Sequence, residues 1–157
     1  MLIWLFIKTC SACNCACFFW YLCNLNFNGP AGRRHMAKKI IYSDKAPMPI
    51  GPYSQAVLVN DTLYVSGQIA ADLAEGGNIA AETGKILENI GHILKAAGFD
   101  YTHIVKSSIF LRDMNDFGKV NEVYGTFFSE NPPARETVQV ARLPKDVNVE
   151  ISVIAVK

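Results

Sequence analysis

Two ionisable residues near the end of the chain, Arg135 and Glu150, have sequence settings that suit chemistry. Pro132 and Pro133 stiffen the backbone immediately before Arg135, which would present the guanidinium in one direction. Glu150 lies in an alternating segment in which Val149, Ile151 and Val153 face the other way. Ile154 and Val156 share its face, so it is partly covered, and a glutamate there could transfer protons. The sequence therefore offers a fixed cation for an anionic ligand and a carboxylate for acid–base work.

Each of these residues also has a simpler interpretation. Arg135 could be a surface arginine after a tight loop, and Glu150 could be a charge on an exposed sheet face. The tripeptide Ser66-Gly67-Gln68 follows the end of a predicted strand. A glycine there would let backbone N–H groups approach a ligand, although an ordinary turn is equally compatible with the pattern.

Other catalytic motifs are missing from the sequence. It contains no P-loop, G-x-G-x-x-G, H-E-x-x-H or G-x-S-x-G motif. His92 lies four residues after Glu88 on the polar side of a predicted helix, and His103 opens a predicted strand, so neither belongs to a recognisable acid–base pair. All five cysteines lie within residues 1–35, which excludes a cysteine nucleophile and a disulfide framework in the remainder.

Charge separates the chain into two parts. Residues 1–35 contain three basic residues and no acid, which leaves 12 basic against 14 acidic residues over 36–157. A slightly acidic domain is a poor ligand for polyanions, because phosphate affinity depends on clustered lysine and arginine. Nucleic acid is therefore not an expected partner.

Residues 1–35 are predicted to be a leader or upstream extension outside the fold, and 36–157 to be the domain. The apolar stretches of the leader are too short for a membrane span, and Lys8 follows the first of them, unlike the basic start of a secretory signal. The cysteine run CSACNCAC could chelate a soft metal ion but lacks a second ligand cluster. The expected location is the cytoplasm, or a mitochondrion or other organelle if the leader is a presequence.

Hydrophobic periodicity predicts the elements that position Arg135 and Glu150. Strands are expected near 40–41, at 57–59 and 63–65 around an Asn60-Asp61 turn, and at 103–112, 136–143 and 147–157. Helices are expected over 78–98 and 115–128, the second with Phe117, Val120 and Tyr124 in its buried stripe. The order β-β-β-α-β-α-β-β predicts an α+β fold, a mixed sheet with two helices on one face.

Seven segments occur together in one order, and their combination is more specific than any single motif. They are IGPYSQAV, LYVSGQI, ENIGHILKAAG, VKSSIFLRDMNDF, VNEVYGTFF, PPARETVQVARLPKD and VEISVIAV. This set resembles the RidA family, also called YjgF or L-PSP, whose members are small imine and enamine deaminases. The resemblance covers Ile40 to Lys157 and leaves residues 1–35 untouched.

The resemblance implies a chorismate-mutase-like domain that forms homotrimers, with clefts shared between subunits. It implies hydrolysis of 2-imino or 2-enamino acids, such as 2-iminobutanoate and 2-iminopropanoate, to 2-keto acids and ammonia, without metal or cofactor. Arg135 would bind the substrate carboxylate and Glu150 would activate water. The substrate-binding residues would be Tyr53, Ser66, Gly67, Asn121, Arg135 and Thr137.

Thr137 occupies a position where many family members have cysteine, so no thiol chemistry is possible there. The loop over 70–77 is also shorter than usual, which affects the rim of the cleft. Two other functions stay open at this stage: an endoribonuclease or translation inhibitor, and a trimer that binds a small ligand without catalysis. The slightly acidic domain disfavours the first, and the presence of both Arg135 and Glu150 disfavours the second.

Overall fold

The computed structural model describes residues 37–157. The strands are β1 Lys38–Ile41, β2 Ala56–Val59, β3 Thr62–Gln68, β4 Ile104–Leu111, β5 Ala134–Gln139 and β6 Val149–Val156, and the helices are α1 Ala71–Ala74, α2 Ile79–Ala96 and α3 Phe117–Phe127. This is the predicted α+β order with one short helix added. The predicted domain boundary at residue 36, the leader and its cysteine run lie outside the described residues and stay predictions.

The six strands form one mixed sheet in the order β1-β2-β3-β6-β4-β5. The last strand of the chain lies in the middle, antiparallel to both β3 and β4. β5 lies at an edge and is parallel to β4. β5 begins at Ala134 and ends at Gln139, so the strand predicted for 136–143 was displaced. The ladder ends there because its partner β4 ends at Leu111.

Helix α2 covers one face of the sheet with the apolar stripe that the sequence predicted. Ile86, Ile90 and Ile93 are completely buried. The Asn78 side chain accepts a hydrogen bond from the N–H of Ala81 (3.1 Å) and caps the first turn. Gly98 ends the helix at a φ of 80°, in the left-handed region that favours glycine.

Two details of the helices differ from the sequence prediction. Phe117, predicted to be buried, is 39% exposed, because it starts α3 at the edge of the sheet, whereas Val120 and Tyr124 of the same stripe are buried. Residues 71–74 were predicted to be a polar loop and form the one-turn helix α1. This segment is too short to show helical periodicity.

The sheet has a covered face and an open face, because side chains alternate along each strand. Leu63, Ile109 and Ile151 point toward the helices and are buried. Tyr64 of β3 and Glu150 of β6 point the other way, and Tyr64 is 50% exposed. No helix within residues 37–157 is long and apolar enough to cross a membrane.

Candidate functional site

Four of the predicted site residues line one cleft on the open face. We call it the Glu150 cleft, and its walls are formed by Ile50, Tyr53, Ser66, Gly67, Ile69, Pro144 and Glu150. Glu150 comes from the central strand β6 and Ser66 and Gly67 from its neighbour β3. Tyr53 comes from the loop before β2. The carboxylate is thus placed by the centre of the sheet, the most constrained part of the fold.

Gly67 is required by the position of Glu150. A Cβ atom at residue 67 would overlap Oε1 of Glu150 and lie 2.8 Å from its Cδ. The glutamate side chain therefore lies against the backbone of β3, and a glycine is the residue that leaves room for it. This close approach explains the glycine in Ser66-Gly67-Gln68 better than an ordinary turn does.

The loop that carries Tyr53 is held by buried polar side chains. Gln55 is 2% exposed; its Oε1 accepts a hydrogen bond from the N–H of Ser43 (2.7 Å), and its Nε2 donates to the carbonyl of Pro47 (2.9 Å). The hydroxyl of Ser66 donates to the carbonyl of Ser54 (2.7 Å). Ser66 therefore fixes the wall of the cleft beside Tyr53.

A second glutamate, Glu82 of α2, fixes the start of β6. Glu82 is fully buried, and its carboxylate accepts hydrogen bonds from the N–H (3.0 Å) and Nδ2 (2.9 Å) of Asn148 and from the N–H of Val149 (3.3 Å). Those two residues directly precede Glu150. Charged acceptors make strong hydrogen bonds to backbone donors, so Glu82 determines the backbone position from which Glu150 projects.

The Glu150 side chain has no hydrogen bond or ion pair with any residue from 37 to 157. Burial raises the pKa of its carboxyl above the ordinary glutamate value. A carboxylate that is partly desolvated and unpaired is a stronger proton acceptor than a surface glutamate. Glu136 of β5, which is separated from β6 by β4, differs because its hydrogen bonds with Lys106 and Ser108 lower its pKa.

Two other predicted residues line a separate cleft. We call it the Arg135 cleft, and its walls are formed by Asn121, Tyr124, Gly125, Phe128, Pro132, Pro133 and Arg135. Asn121 and Tyr124 lie on α3, and Arg135 lies on the edge strand β5. The two prolines form part of the wall next to Arg135, as their position in the sequence indicated.

The guanidinium of Arg135 has no acidic partner within the described chain, but it contacts aromatic rings. Its Cζ lies 4.8 Å from the ring centroid of Tyr124 and 5.8 Å from that of Phe117. Nearby, the hydroxyls of Ser107, Tyr124 and Thr137 are buried without hydrogen-bond partners. Thr137 shares the covered face with Arg135, two residues along β5, and does not line the cavity. The N–H groups of Arg135 are free to bind an anion.

The two clefts lie on opposite faces of the sheet. Glu150 is paired with Phe110 of β4, and Phe110 is paired with Val138 of β5, so all three side chains share the open face. Arg135 precedes Val138 by three residues, an odd number, and therefore points to the covered face. Within one chain, the structure brings Tyr53, Ser66 and Gly67 to Glu150 and brings Asn121 to Arg135, but it does not unite the two sets.

Three positioning residues were not recognised in the sequence. Glu82 occupies a buried position of the helical stripe, and a charge at such a position is the signal that could have identified it. Gln55 gave no signal, because its contacts with Ser43 and Pro47 are made only in the folded chain. Tyr124 was predicted only as a buried residue of its helix, and its contact with Arg135 depends on how α3 packs beside β5. Within residues 37–157, no group of three or more histidine, cysteine, aspartate or glutamate side chains could hold a metal ion.

Known proteins resemble the described region closely. The family model for endoribonuclease L-PSP matches residues 43–157. A rat 2-iminobutanoate/2-iminopropanoate deaminase is 53% identical over 124 residues, which cover 76% of this chain and 90% of the rat protein. The structure of the Escherichia coli YjgF gene product has a TM-score of 0.70 and 44% identity, covering 76% of this chain and 98% of that one.

A second solved structure carries a ligand. Escherichia coli TdcF with bound serine has a TM-score of 0.71 and 42% identity, and the match covers 76% of this chain and 98% of TdcF. The family match, the sequence identities and the shared fold agree with the motif order in residues 40–157. The chain therefore belongs to the RidA family, whose family model is named endoribonuclease L-PSP.

Proposed function

We propose that this chain is a 2-iminobutanoate/2-iminopropanoate deaminase that works as a homotrimer with each site shared by two subunits. One observation carries the proposal: two incomplete clefts lie on opposite faces of one sheet, one with an unpaired guanidinium and the other with an unpaired carboxylate of raised pKa. A second copy of the chain can supply the missing half to each. The name of the rat relative supports the reaction class.

Arg135 is the anchor for the carboxylate of the substrate. A small imino acid has one strong handle, its carboxylate, and a guanidinium can donate two parallel hydrogen bonds to it. The TdcF structure with bound serine shows that a protein of this fold can bind a small molecule with a carboxylate. Asn121, in the same cleft, is a further hydrogen-bonding group for that end of the substrate.

Glu150 directs the water. As the water oxygen bonds to C2 of the imine, Glu150 accepts a proton from the water and transfers it to the imine nitrogen, which gives a carbinolamine. The carbon–nitrogen bond then breaks as the proton of the C2 hydroxyl is transferred through Glu150 to the amino group, so that ammonia leaves and the keto group forms. An imine is already electrophilic, so positioning and general acid–base catalysis are sufficient, with water as the only co-reactant.

The test uses the purified full chain with 2-iminobutanoate generated in situ by a threonine dehydratase. We expect the chain to accelerate 2-ketobutanoate formation above the spontaneous rate. Arg135→Ala should lower kcat/KM about 10²- to 10⁴-fold, the equivalent of two charge-assisted hydrogen bonds. Lys85→Ala is the charge-matched control, because Lys85 pairs with Glu88 (3.6 Å) on the exposed side of α2.

Other outcomes would contradict the proposal. Equal rates of wild type and Arg135→Ala would show that Arg135 does not bind the substrate carboxylate. RNA cleavage that survives repurification, disappears in Glu150→Gln and is accompanied by no imine hydrolysis would instead favour an endoribonuclease. Binding of 2-ketobutanoate without any acceleration would indicate a trimer that binds ligands and does not catalyse.

A further inference from the structure

Arg135 contacts an aromatic ring, whereas arginines in binding sites commonly pair with a carboxylate. The guanidinium lies over Tyr124, with 4.8 Å between Cζ and the ring centroid, and no carboxylate of residues 37–157 pairs with it. Phe117 is more distant (5.8 Å) and exposed. A cation above an aromatic face is attracted to it and loses freedom to turn out of the plane.

Tyr124 packs in turn against other aromatic rings. It is 4% exposed and stacks on Phe128 with 4.4 Å between centroids and 29° between planes. Phe128 meets Tyr101 edge to face at 6.0 Å. The hydroxyl of Tyr101 donates to the backbone carbonyl of Leu87 in α2 (2.7 Å). The position of Arg135 is therefore linked through three rings to the backbone of the central helix.

The geometry points to Tyr124 as the positioning residue for Arg135, and this role rests on the proposed function of Arg135 as the carboxylate anchor. The guanidinium carbon lies over the face of the ring, and no hydrogen bond from the N–H groups of Arg135 to the described residues occupies those donors. An acidic partner would hold the arginine equally well but would compete with the substrate carboxylate for those same donors. A ring orients the cation without that competition.

The decisive comparison is between Tyr124→Phe and Tyr124→Leu in the full chain. Tyr124→Phe keeps the ring, and we expect KM for 2-iminobutanoate to stay within about threefold of wild type. Tyr124→Leu removes it, and KM should rise roughly tenfold, equivalent to about 1.4 kcal/mol, while kcat changes less than about twofold. Phe117→Leu, at an exposed position, is the matched control, with an increase of about twofold at most.

A second measurement does not depend on catalysis. The side-chain Nε–Hε resonance of Arg135, assigned with Arg135→Lys, should carry a ring-current shift that persists in Tyr124→Phe and is largely lost in Tyr124→Leu. If wild type proves inactive, the proposed function fails, whereas this resonance and a titration with 2-ketobutanoate still report on the arginine and its ring.

Three results would overturn the inference. A tenfold rise of KM in Tyr124→Phe would assign the effect to the buried hydroxyl, and this isosteric variant should fold even if the leucine variant does not. An unchanged KM in Tyr124→Leu would show that the ring does not orient the arginine. A loss confined to kcat would place Tyr124 in the chemical step.

Discussion

The Glu150 cleft and the Arg135 cleft are built in different ways. The Glu150 cleft lies at the centre of the sheet, and its form depends on backbone: Gly67 leaves room for the carboxylate, and Gln55 and Glu82 hold adjoining segments. The Arg135 cleft lies at the sheet edge, and its form depends on side chains, chiefly the stacked rings of Tyr124 and Phe128. One cleft is rigid through hydrogen bonds and the other through ring packing.

Under the proposed function, this difference suits each cleft to a separate task. General-base catalysis needs a carboxylate at a fixed distance from the reacting carbon, and displacements near 1 Å can be costly. Carboxylate binding needs a cation whose N–H groups are free, and cation–π contacts provide that. Each cleft lacks the charged group that the other contains. Within one chain, the sheet separates the two clefts. This separation is the reason for the proposal that two subunits complete each site.

The largest expected effect comes from mixing two inactive variants. Arg135→Ala and Glu150→Gln should each lose about 10²- to 10⁴-fold in kcat/KM. In trimers assembled from an equal mixture, one arrangement in four joins an intact arginine to an intact glutamate. We therefore expect activity to return to about one quarter of the wild-type value, since in the proposed trimer every site is formed by two subunits.

A mixture of two variants from the same cleft provides the control. Gly67→Ala combined with Glu150→Gln should stay inactive, because every subunit then has a damaged Glu150 cleft. Activity near zero in both mixtures would place a complete site within one chain, or show that the two clefts do not meet. The oligomeric state of each mixture should be measured by light scattering in parallel.

The second-largest effect tests whether the absence of a side chain at Gly67 sets the position of the Glu150 carboxylate. Gly67→Ala places a methyl group where Oε1 and Cδ of Glu150 lie, and the carboxylate must move. We expect kcat to fall about 10²-fold, which is typical for a displacement near 1 Å. Binding of 2-ketobutanoate should weaken less, because Arg135 is untouched.

Gly118→Ala is the matched control for that substitution. Gly118 lies in α3, and a Cβ there has no neighbour within 4 Å. Activity should be unchanged, and stability should rise by up to about 1 kcal/mol because alanine favours a helix. Equal losses in the two variants would mean that the contact between Gly67 and Glu150 is not what positions the carboxylate.

The sequence predicted most of the elements but not the relation between the clefts. The helical period of α2 and the turn at Asn60 are local properties, and the structure confirms them. The placement of β6 between β3 and β4 is not local, because it depends on pairing between strands far apart in the chain. Only that pairing and its register show that Arg135 and Glu150 point to opposite faces.

The roles of the residues that position the two clefts could not be predicted from the sequence either. Glu82 and Gln55 satisfy backbone groups of segments that only the tertiary fold brings near them. Tyr124 was predicted to be buried, which is correct, but periodicity cannot show that a core residue also lines a cleft. Residue types and motif order therefore indicated the class of chemistry. Which residues share a cleft depends on strand register and side-chain packing.

The smallest expected effect is on stability and comes from the raised pKa of Glu150. It tests whether Arg135 of one subunit lies near Glu150 of another. Burial raises the folded-state pKa above the unfolded value. Between those two values, the folded chain keeps a proton that the unfolded chain has lost, so stability falls as pH rises through this window. Above it, the ionised Glu150 destabilises the fold by a constant amount, and Glu150→Gln should remove that cost.

The experiment is best made first in an Arg135→Ala background, where no guanidinium can offset the burial. There, adding Glu150→Gln should raise the unfolding temperature by a few degrees at pH 7, and the gain should shrink toward pH 4 as the glutamate becomes protonated. With Arg135 intact, the gain at pH 7 should be smaller, because in the proposed trimer a guanidinium from a second subunit would stabilise the ionised carboxylate. Equal gains in the two backgrounds would mean that the two groups never share a site.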